Sequence, residues 1–396
     1  MKLIFYSIIF NLISIQTFIG QDVIQIDPER ISCGTLTLSD LIESIEYIPL
    51  ETNNDCLIGD IGKNNSVILS NNYILIQCST TQLFYLFNRA GKLVKKIGNI
   101  GNGPGEYLRY GAVPFAIDEE NQRIILRNNG AESKLIFYDL RGKYLRSVSV
   151  DEKLGAVFHA QFDDRFVMMH LNNPFKAGIP PFNYSIFSDD YKLITEKIKK
   201  ADYTIRPRSS NQFTVTKEEG FSYYLYNGLL HVKGALNDSL YSISRNLSFL
   251  PKYIINPGKY SFTRQILSDP ALFDRVFQYR VYLTSIFETD GYVLISYRYQ
   301  NKDYYHCYDK RLHSSMLFNS ASGIPNDYDG GLDFWPNQQN GNEFITWYQA
   351  YLFEENDNRI KPKGSKNAVE YFKKLRKDME SDANPVLVIA KMKQNI

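Results

Sequence analysis

This sequence is poor in the residues from which redox, metal and nucleophilic centres are assembled. Its 396 residues hold four cysteines, five histidines and two tryptophans. Cys33, Cys56, Cys78 and Cys307 form no Cys-x-x-Cys pair, so spacing offers neither a zinc ribbon nor a dithiol redox centre. Sequence alone does not choose among their possible disulfide pairings. Cys78 and Cys307 fall in strand-like runs, where a buried thiol serves as a small apolar side chain. The histidines, His159, His170, His231, His306 and His313, lack the His-Glu-x-x-His spacing. No P-loop and no Gly-x-Ser-x-Gly elbow is present. Charge of one sign is also lacking. The 45 basic and 43 acidic residues leave a net +2, which excludes a strong field toward nucleic acid or an anionic membrane. Beyond the first 20 residues no apolar run is long enough to span a bilayer.

What is present begins at the N-terminus. Lys2 precedes a mostly apolar run from Leu3 to Ile19, and Gly20 offers a small residue before Gln21. That pattern predicts a secretory signal over 1–20, followed by an extended lead-in over 21–44. A lipoprotein signal needs a cysteine directly after the apolar run, and Cys33 comes too late. The expectation is an exported protein, periplasmic or extracellular, without a lipid anchor. Aromatic residues are plentiful, with 29 tyrosines and 25 phenylalanines. Both suit strands, and tyrosine also suits wet surfaces where a ring packs and a hydroxyl stays hydrated.

The organising pattern is a repeated strand, Gly-Lys turn and strand. It runs from Leu83 to Leu93 with its turn at Gly91-Lys92, and returns from Lys134 to Tyr144 with its turn at Gly142-Lys143. The offset between Gly91 and Gly142 is 51 residues, and short strands recurring at that period indicate a β-propeller. Strand-like runs extend the pattern to the end of the chain, although the last unit, with Glu343–Tyr348 and Val386–Lys391, is short of strands. Ile45–Leu50, at the other end, has no unit of its own. Pairing the two would close an all-β, six-bladed ring over 45–396 and leave no open sheet edge at the seam. Two short inserted helices are expected, over Asp269–Arg280 and Lys366–Asp382.

Several segments carry a family resemblance. Ile45-Glu46-Tyr47-Ile48-Pro49-Leu50-Glu51-Thr52 is similar to the opening strand of a family of secreted six-bladed propellers of Bacteroidota. Lys96 to Tyr107, which contains Gly101-Asn102-Gly103-Pro104-Gly105-Glu106-Tyr107, resembles that family's G-x-G-P-G-E-[YF] segment. Asn326 to Pro336 and Asn384 to Ile389 resemble two later segments. The resemblance implies an exported ring of NHL-like shape and transfers no catalytic residue.

The motifs admit two functional classes. Gly98 to Gly105 is not a nucleotide loop, because Pro104 breaks the helix such a loop would need. Its glycines suit a tight crossing between blades, with Glu106 capping amides or pairing with Arg109. Asp327, Asp329 and Asp333 could offer oxygens to Ca²⁺, but the downstream Glu of an EF-hand is missing, so a solvated turn is expected. Trp335 could stack on a sugar or a peptide. Propeller chemistry sits on connecting loops, which nominates Glu106, Tyr107, Arg109, Asp329, Asp333 and Trp335 as ligand-binding residues. No catalytic residue, metal or cofactor is nominated. The first class is a non-catalytic binding or scaffolding propeller of the bacterial envelope, engaging a glycan, a peptide or a protein. The alternative is an NHL-like lyase or hydrolase acting at the channel mouth.

Overall fold

A computed structural model describes residues 22–30, 36–62, 66–108, 115–129, 133–149, 156–162, 165–171, 183–188, 193–198, 222–233, 238–244, 246–263, 265–266, 269–318, 322–354 and 361–394. The expected signal over 1–20, Cys33 and Arg109 lie outside the described residues. The chain is mostly β. It opens with β1 (Asp22–Gln25), a short helix α1 (Leu38–Leu41) and β2 (Ile42–Pro49). A first antiparallel sheet follows, of β3 (Val67–Leu69), β4 (Tyr73–Gln77), β5 (Phe84–Asn88) and β6 (Leu93–Ile97). A small parallel pair, β7 (Asn99–Ile100) with β8 (Glu106–Tyr107), crosses to the second sheet. That sheet holds β9 (Phe115–Asp118), β10 (Arg123–Asn129), β11 (Ser133–Asp139) and β12 (Tyr144–Ser149). The third holds β13 (Ala156–Phe162), β14 (Arg165–Leu171), β15 (Asn183–Phe187) and β16 (Leu193–Ile198).

Next come β17 (Ser222–Tyr226), β18 (Leu229–Lys233), β19 (Ser239–Ile243) and β20 (Phe249–Asn256). After helix α2 (Pro270–Val276) the chain forms β21 (Tyr282–Glu288), β22 (Tyr292–Tyr299), β23 (Lys302–Asp309) and β24 (Ser314–Leu317). It ends with β25 (Gln338–Asn340), β26 (Glu343–Tyr348), helices α3 (Tyr351–Glu354) and α4 (Lys366–Asp378), and β27 (Val386–Met392). A parallel bridge between Leu225 and Asn340 joins β17 to β25, so the β17–β20 and β25–β27 groups share one long sheet. First strands of neighbouring sheets also touch: β3 with β9, β9 with β13, and β17 with β21.

The repeated turn explains the 51-residue offset. In the first sheet the Asn88 side-chain oxygen accepts from the amides of Ala90 and Lys92, both at 3.0 Å. In the second, Asp139 accepts from Arg141 and Lys143 at 2.9 and 2.8 Å. Gly91 and Gly142 both sit at φ +76°, left-handed backbone that glycine adopts without steric cost. A Cβ on Gly91 would also stand 2.3 Å from the Pro49 carbonyl, which belongs to β2. The same turn recurs without a glycine at Leu247, φ +63°, which closes the β19–β20 turn three residues after Ser244, and a turn one residue longer closes β23–β24 under Asp309 with His313 at φ +47°. After three of these turns the outer strand bulges, at Val94, Leu145 and Lys252. Bulges twist an outer strand away from edge-to-edge pairing.

The two ends of the chain meet. β2 pairs antiparallel with β27, with Ile45 opposite Ala390 and Ile48 opposite Leu387. Asn384 fastens the start of β27: its amide donates to the carbonyls of Glu51 and Cys56, and its oxygen accepts from the Ile58 amide at 2.6 Å. The lead-in is not merely extended, as the sequence suggested. β1 adds in parallel to the outer edge of β20 and buries Ile24, while α1 buries Leu38 and Leu41. Asp327 is not in a solvated turn either. It is fully buried and accepts from the Ser39 amide at 2.8 Å, the hydroxyls of Thr37 and Ser39 at 2.7 Å, and Lys363 at 2.8 Å.

The inserted helices sit close to expectation. Asp269 caps α2 through the amides of Ala271 and Leu272. Ser365 caps α4, whose Phe372 is buried against Tyr47 with ring centroids 5.3 Å apart. The end of α4 comes at Asp378, before the expected Asp382, because Met379 turns to extended backbone. Cys56, Cys78 and Cys307 are buried, free thiols.

Burial opposes ionisation of Asp327, but Lys363 and the Ser39 and Thr37 donors outweigh it and bring its carboxyl from 3.8 to about 2. The resulting stability is fully present above the unfolded value and is lost as pH falls through the folded one. Asp327→Asn is expected to cost about 2 kcal/mol at neutral pH. In denaturant melts the gap from wild type should close between about pH 4 and pH 2. A gap that does not change with pH would show that Asp327 does not carry this linkage.

Candidate functional site

Three hairpin turns converge where the first strands end. Asn227-Gly228 joins β17 to β18 with both residues left-handed, at φ +50° and +67°. The Thr289–Gly291 turn joins β21 to β22, and Gly341, at φ +56°, lies in the turn from β25 to β26. The parallel bridge between β17 and β25 brings the first and third turns together, and the Gly341 amide donates to the Leu225 carbonyl at 2.8 Å. The side chain of Gln339 ties in the second. It accepts from the Glu288 amide at 2.9 Å and donates to the Glu288 carbonyl at 2.7 Å. Between these turns and the chain's last described residues lies a cavity of 370 Å³. It is lined by Tyr226, Asn227, Thr289, Asp290 and Asn342 from the turns and by Met392, Lys393 and Gln394 from the C-terminal segment.

Beneath the cavity sits a buried charge cluster. Glu288 is 1 % exposed. One carboxylate oxygen accepts from the Tyr224 hydroxyl at 3.1 Å and from Lys252 at 2.7 Å. The other accepts from the Tyr253 hydroxyl at 3.1 Å and from Lys310. Burial would raise the Glu288 pKa, but the charges of Lys252 and Lys310 hold it below the ordinary carboxylate value. Burial also lowers the Lys310 pKa, against the pull of Glu288. Lys252 reaches this carboxylate from the bulge of β20, and Lys310 from the β23–β24 turn. Both ammonium groups lie over the Tyr226 ring, 5.9 and 5.7 Å from its centroid. The Tyr226 hydroxyl donates to Asp290 at the cavity wall.

A serine–histidine contact adjoins this cluster. The Ser242 hydroxyl lies 3.0 Å from His231 Nδ1, and His231 Nε2 lies 3.3 Å from the Tyr226 carbonyl. The imidazole stacks on Tyr224 at 4.7 Å. Burial, reinforced by Lys252, lowers its pKa to about 4, so it is neutral at pH 7. With Nε2–H donating to the carbonyl, Nδ1 accepts from Ser242. Both residues are buried and neither lines the cavity, so this pair anchors Tyr226 and is not a nucleophile with its base. Among the described residues no group of three His, Cys, Asp or Glu side chains could hold a metal ion.

The residues nominated from sequence stand elsewhere. Asp333 and Trp335 precede β25, whereas the cavity turn follows it. Asp329 is 1 % exposed and accepts from the Tyr47 hydroxyl at 2.8 Å and the Asn326 amide at 2.9 Å. Glu106 accepts from the Gly103 amide at 2.8 Å, the cap that its position suggested. A Cβ on Gly101 would strike that carboxylate, which accounts for this glycine. Tyr107 is a core residue, edge-on to Phe84 at 5.2 Å. Trp335 is half-buried: its indole donates to Ser285 at 3.1 Å and its ring packs on Tyr305 at 4.8 Å. Asp333 is also half-buried, and its carbonyl accepts from the Tyr348 hydroxyl at 2.8 Å. Sequence reasoning found neither the cavity nor the Glu288 cluster. The Asn-Gly turn at 227–228 was the one local sign of either.

Removing the carboxylate charge leaves two lysines without their anion. Glu288→Gln is expected to cost about 3–5 kcal/mol in denaturant unfolding. Lys252→Met, which leaves one cation paired, should cost less. A Glu288→Gln protein as stable as wild type would contradict this account of the cluster.

No curated protein matches the sequence. Among solved structures, a Bacteroides fragilis protein whose description proposes export superposes with a TM-score of 0.66 at 15% identity, covering 94% of this chain and 100% of that one. A DUF4221 family member from Bacteroides vulgatus gives 0.45 at 12% identity, covering 89% and 97%. Virginiamycin B lyase from Staphylococcus aureus gives 0.40 at 10% identity, covering 88% and 99%. At these identities the likeness concerns fold, and of the three only the first score is high enough to carry it. Residues 21–391 match a single family model, so the chain belongs to the family described as Domain of unknown function (DUF4934).

Proposed function

We propose that this chain is an exported, non-catalytic binding or scaffolding protein, built as a six-bladed β-propeller whose last blade is completed by the N-terminal strand. The count takes β25, β26, β27 and β2 as one blade, beside the groups headed by β3, β9, β13, β17 and β21. The pairing of β2 with β27 supports closure at that blade. Export rests on the signal-like pattern of residues 1–20, and no described helix is long and apolar enough to cross a membrane. That pattern favours the periplasm or the cell exterior as its place.

One observation carries the functional reading. Where β17, β21 and β25 end, the Leu225–Asn340 bridge and the Gln339 side chain tie the three strands together, and the polar cavity lies beside those turns. A channel-mouth lyase or hydrolase needs titratable groups converging on an open bore. Beside this cavity, the buried titratable groups Glu288, Lys310 and His231 are bonded to other side chains and to backbone. A preformed polar hollow on a rigid base suits recognition of a glycan, a peptide or a protein. Asp333 and Trp335, half-buried before β25, keep surface for a second contact with the same partner.

The test is a binding screen with product analysis. Purified chain without residues 1–20 is incubated with panels of glycans and peptides, and each binder is recovered and examined by mass spectrometry. The expected result is saturable binding with the ligand recovered unchanged. Steady conversion of a bound ligand to product would overturn the non-catalytic reading.

A further inference from the structure

We infer that the cavity at the ends of β17, β21 and β25 takes a neutral sugar residue of a glycan. The inference rests on the binding reading above and names the ligand class for it.

A sugar hydroxyl both donates and accepts, so a sugar site needs donors and acceptors side by side on fixed supports. This cavity supplies them. Asn227, Asn342 and Gln394 bring amides, each with a donor end and an acceptor end. Asp290 brings acceptors only. All but Gln394 sit on tight turns whose backbone is fixed by the Leu225–Asn340 bridge and by Gln339. Apolar surface is scarce: Tyr226 and Met392 line the cavity but are 4% and 2% exposed, so recognition there is by hydrogen bonding rather than by ring stacking. The volume of 370 Å³ lies at the lower end of the range of about 300–1,000 Å³ for small-molecule sites, the size of a short saccharide.

Other ligand classes fit less well. An anion would meet the Asp290 carboxylate. The nearby cations are committed: Lys252 and Lys310 to Glu288, and Lys393 to the Ser39 carbonyl at 2.7 Å. A cationic ligand would find one carboxylate, already bonded by the Tyr226 hydroxyl, and Lys393 in the same lining. An apolar ligand would strip water from amides and a carboxylate without replacing their hydrogen bonds.

The experiment uses the chain without residues 1–20 on an array of neutral, acidic and amino-sugar glycans, with calorimetric titration of the best binder. Three variants test the site: Asn342→Ala, Gln394→Ala and Asp290→Asn. Each alters an exposed or half-exposed side chain, and unchanged melting curves confirm that the fold is kept. The expected result is binding of a neutral oligosaccharide that weakens about tenfold or more in Asn342→Ala and Asp290→Asn. Preference for acidic or amino sugars overturns the inference, as does neutral-glycan binding that all three variants retain in full. Binding of peptides but no glycan overturns it while leaving the binding reading standing. Binding of no ligand of any class removes both.

Discussion

The antiparallel pairing of β2 with β27 is the contact on which the rest of the architecture depends. It joins residues more than 300 positions apart, so its loop-closure cost is met only when everything between is already folded. Without β2 the outer edge of β27 would present unpaired amides and carbonyls. Val386, Val388 and Ala390, all fully buried, share a core with Tyr47 of β2, Phe353 and Phe372. Leu387 and Ile389 share another with Ile48, Phe87 and the 56–78 region. One strand pair therefore seals two cores. The fastenings around it follow from that role. Asp327 holds the start of α1, Asp329 holds Tyr47, Asn384 holds residues 51–58, and the carbonyl of Leu41 accepts from the Lys393 amide.

A second constraint is the cluster around Glu288. A buried carboxylate is tolerable only when fully partnered, and four side chains from two neighbouring sheets partner it. Such a cluster fixes the relative position of the sheets more than it stabilises them, because desolvation offsets much of the ion pairing. What it fixes is the floor of the cavity: Tyr226 above the two lysines, and Asp290 bonded to Tyr226. A cavity floor built this way is preorganised, so binding there would carry little ordering cost. The C-terminal wall of the same cavity hangs from α1 through Lys393, which links the hollow to the seam.

Much of the fold was legible in the sequence, because short runs of Val, Ile, Leu, Tyr and Phe between polar turns announce strands. Gly91 and Gly142 revealed the repeat, since left-handed backbone there calls for glycine. The left-handed turn residues Leu247 and His313 were hidden, because neither residue type advertises that conformation. β25, with the sequence Gln-Gln-Asn, has no apolar alternation, and backbone pairing with β26 and the bridge to β17 make it a strand. The candidate site was less legible. Residues that look unusual locally, such as Glu106, Asp329 and Trp335, meet local demands for caps, burial and packing. The cavity and its floor come from ordinary residues at 224, 226, 252, 288, 310 and 342, which only the topology brings together.

Amide hydrogen exchange of β2, read beside β26 and β27, tests the central claim most directly. If β2 completes the last sheet, the amides of Ile42–Pro49 that bond to β27 should exchange as slowly as those of Glu343–Tyr348. They should also open together with Val386–Met392 in one cooperative event. Rapid exchange throughout β2 while β26 and β27 stay protected would contradict the claim.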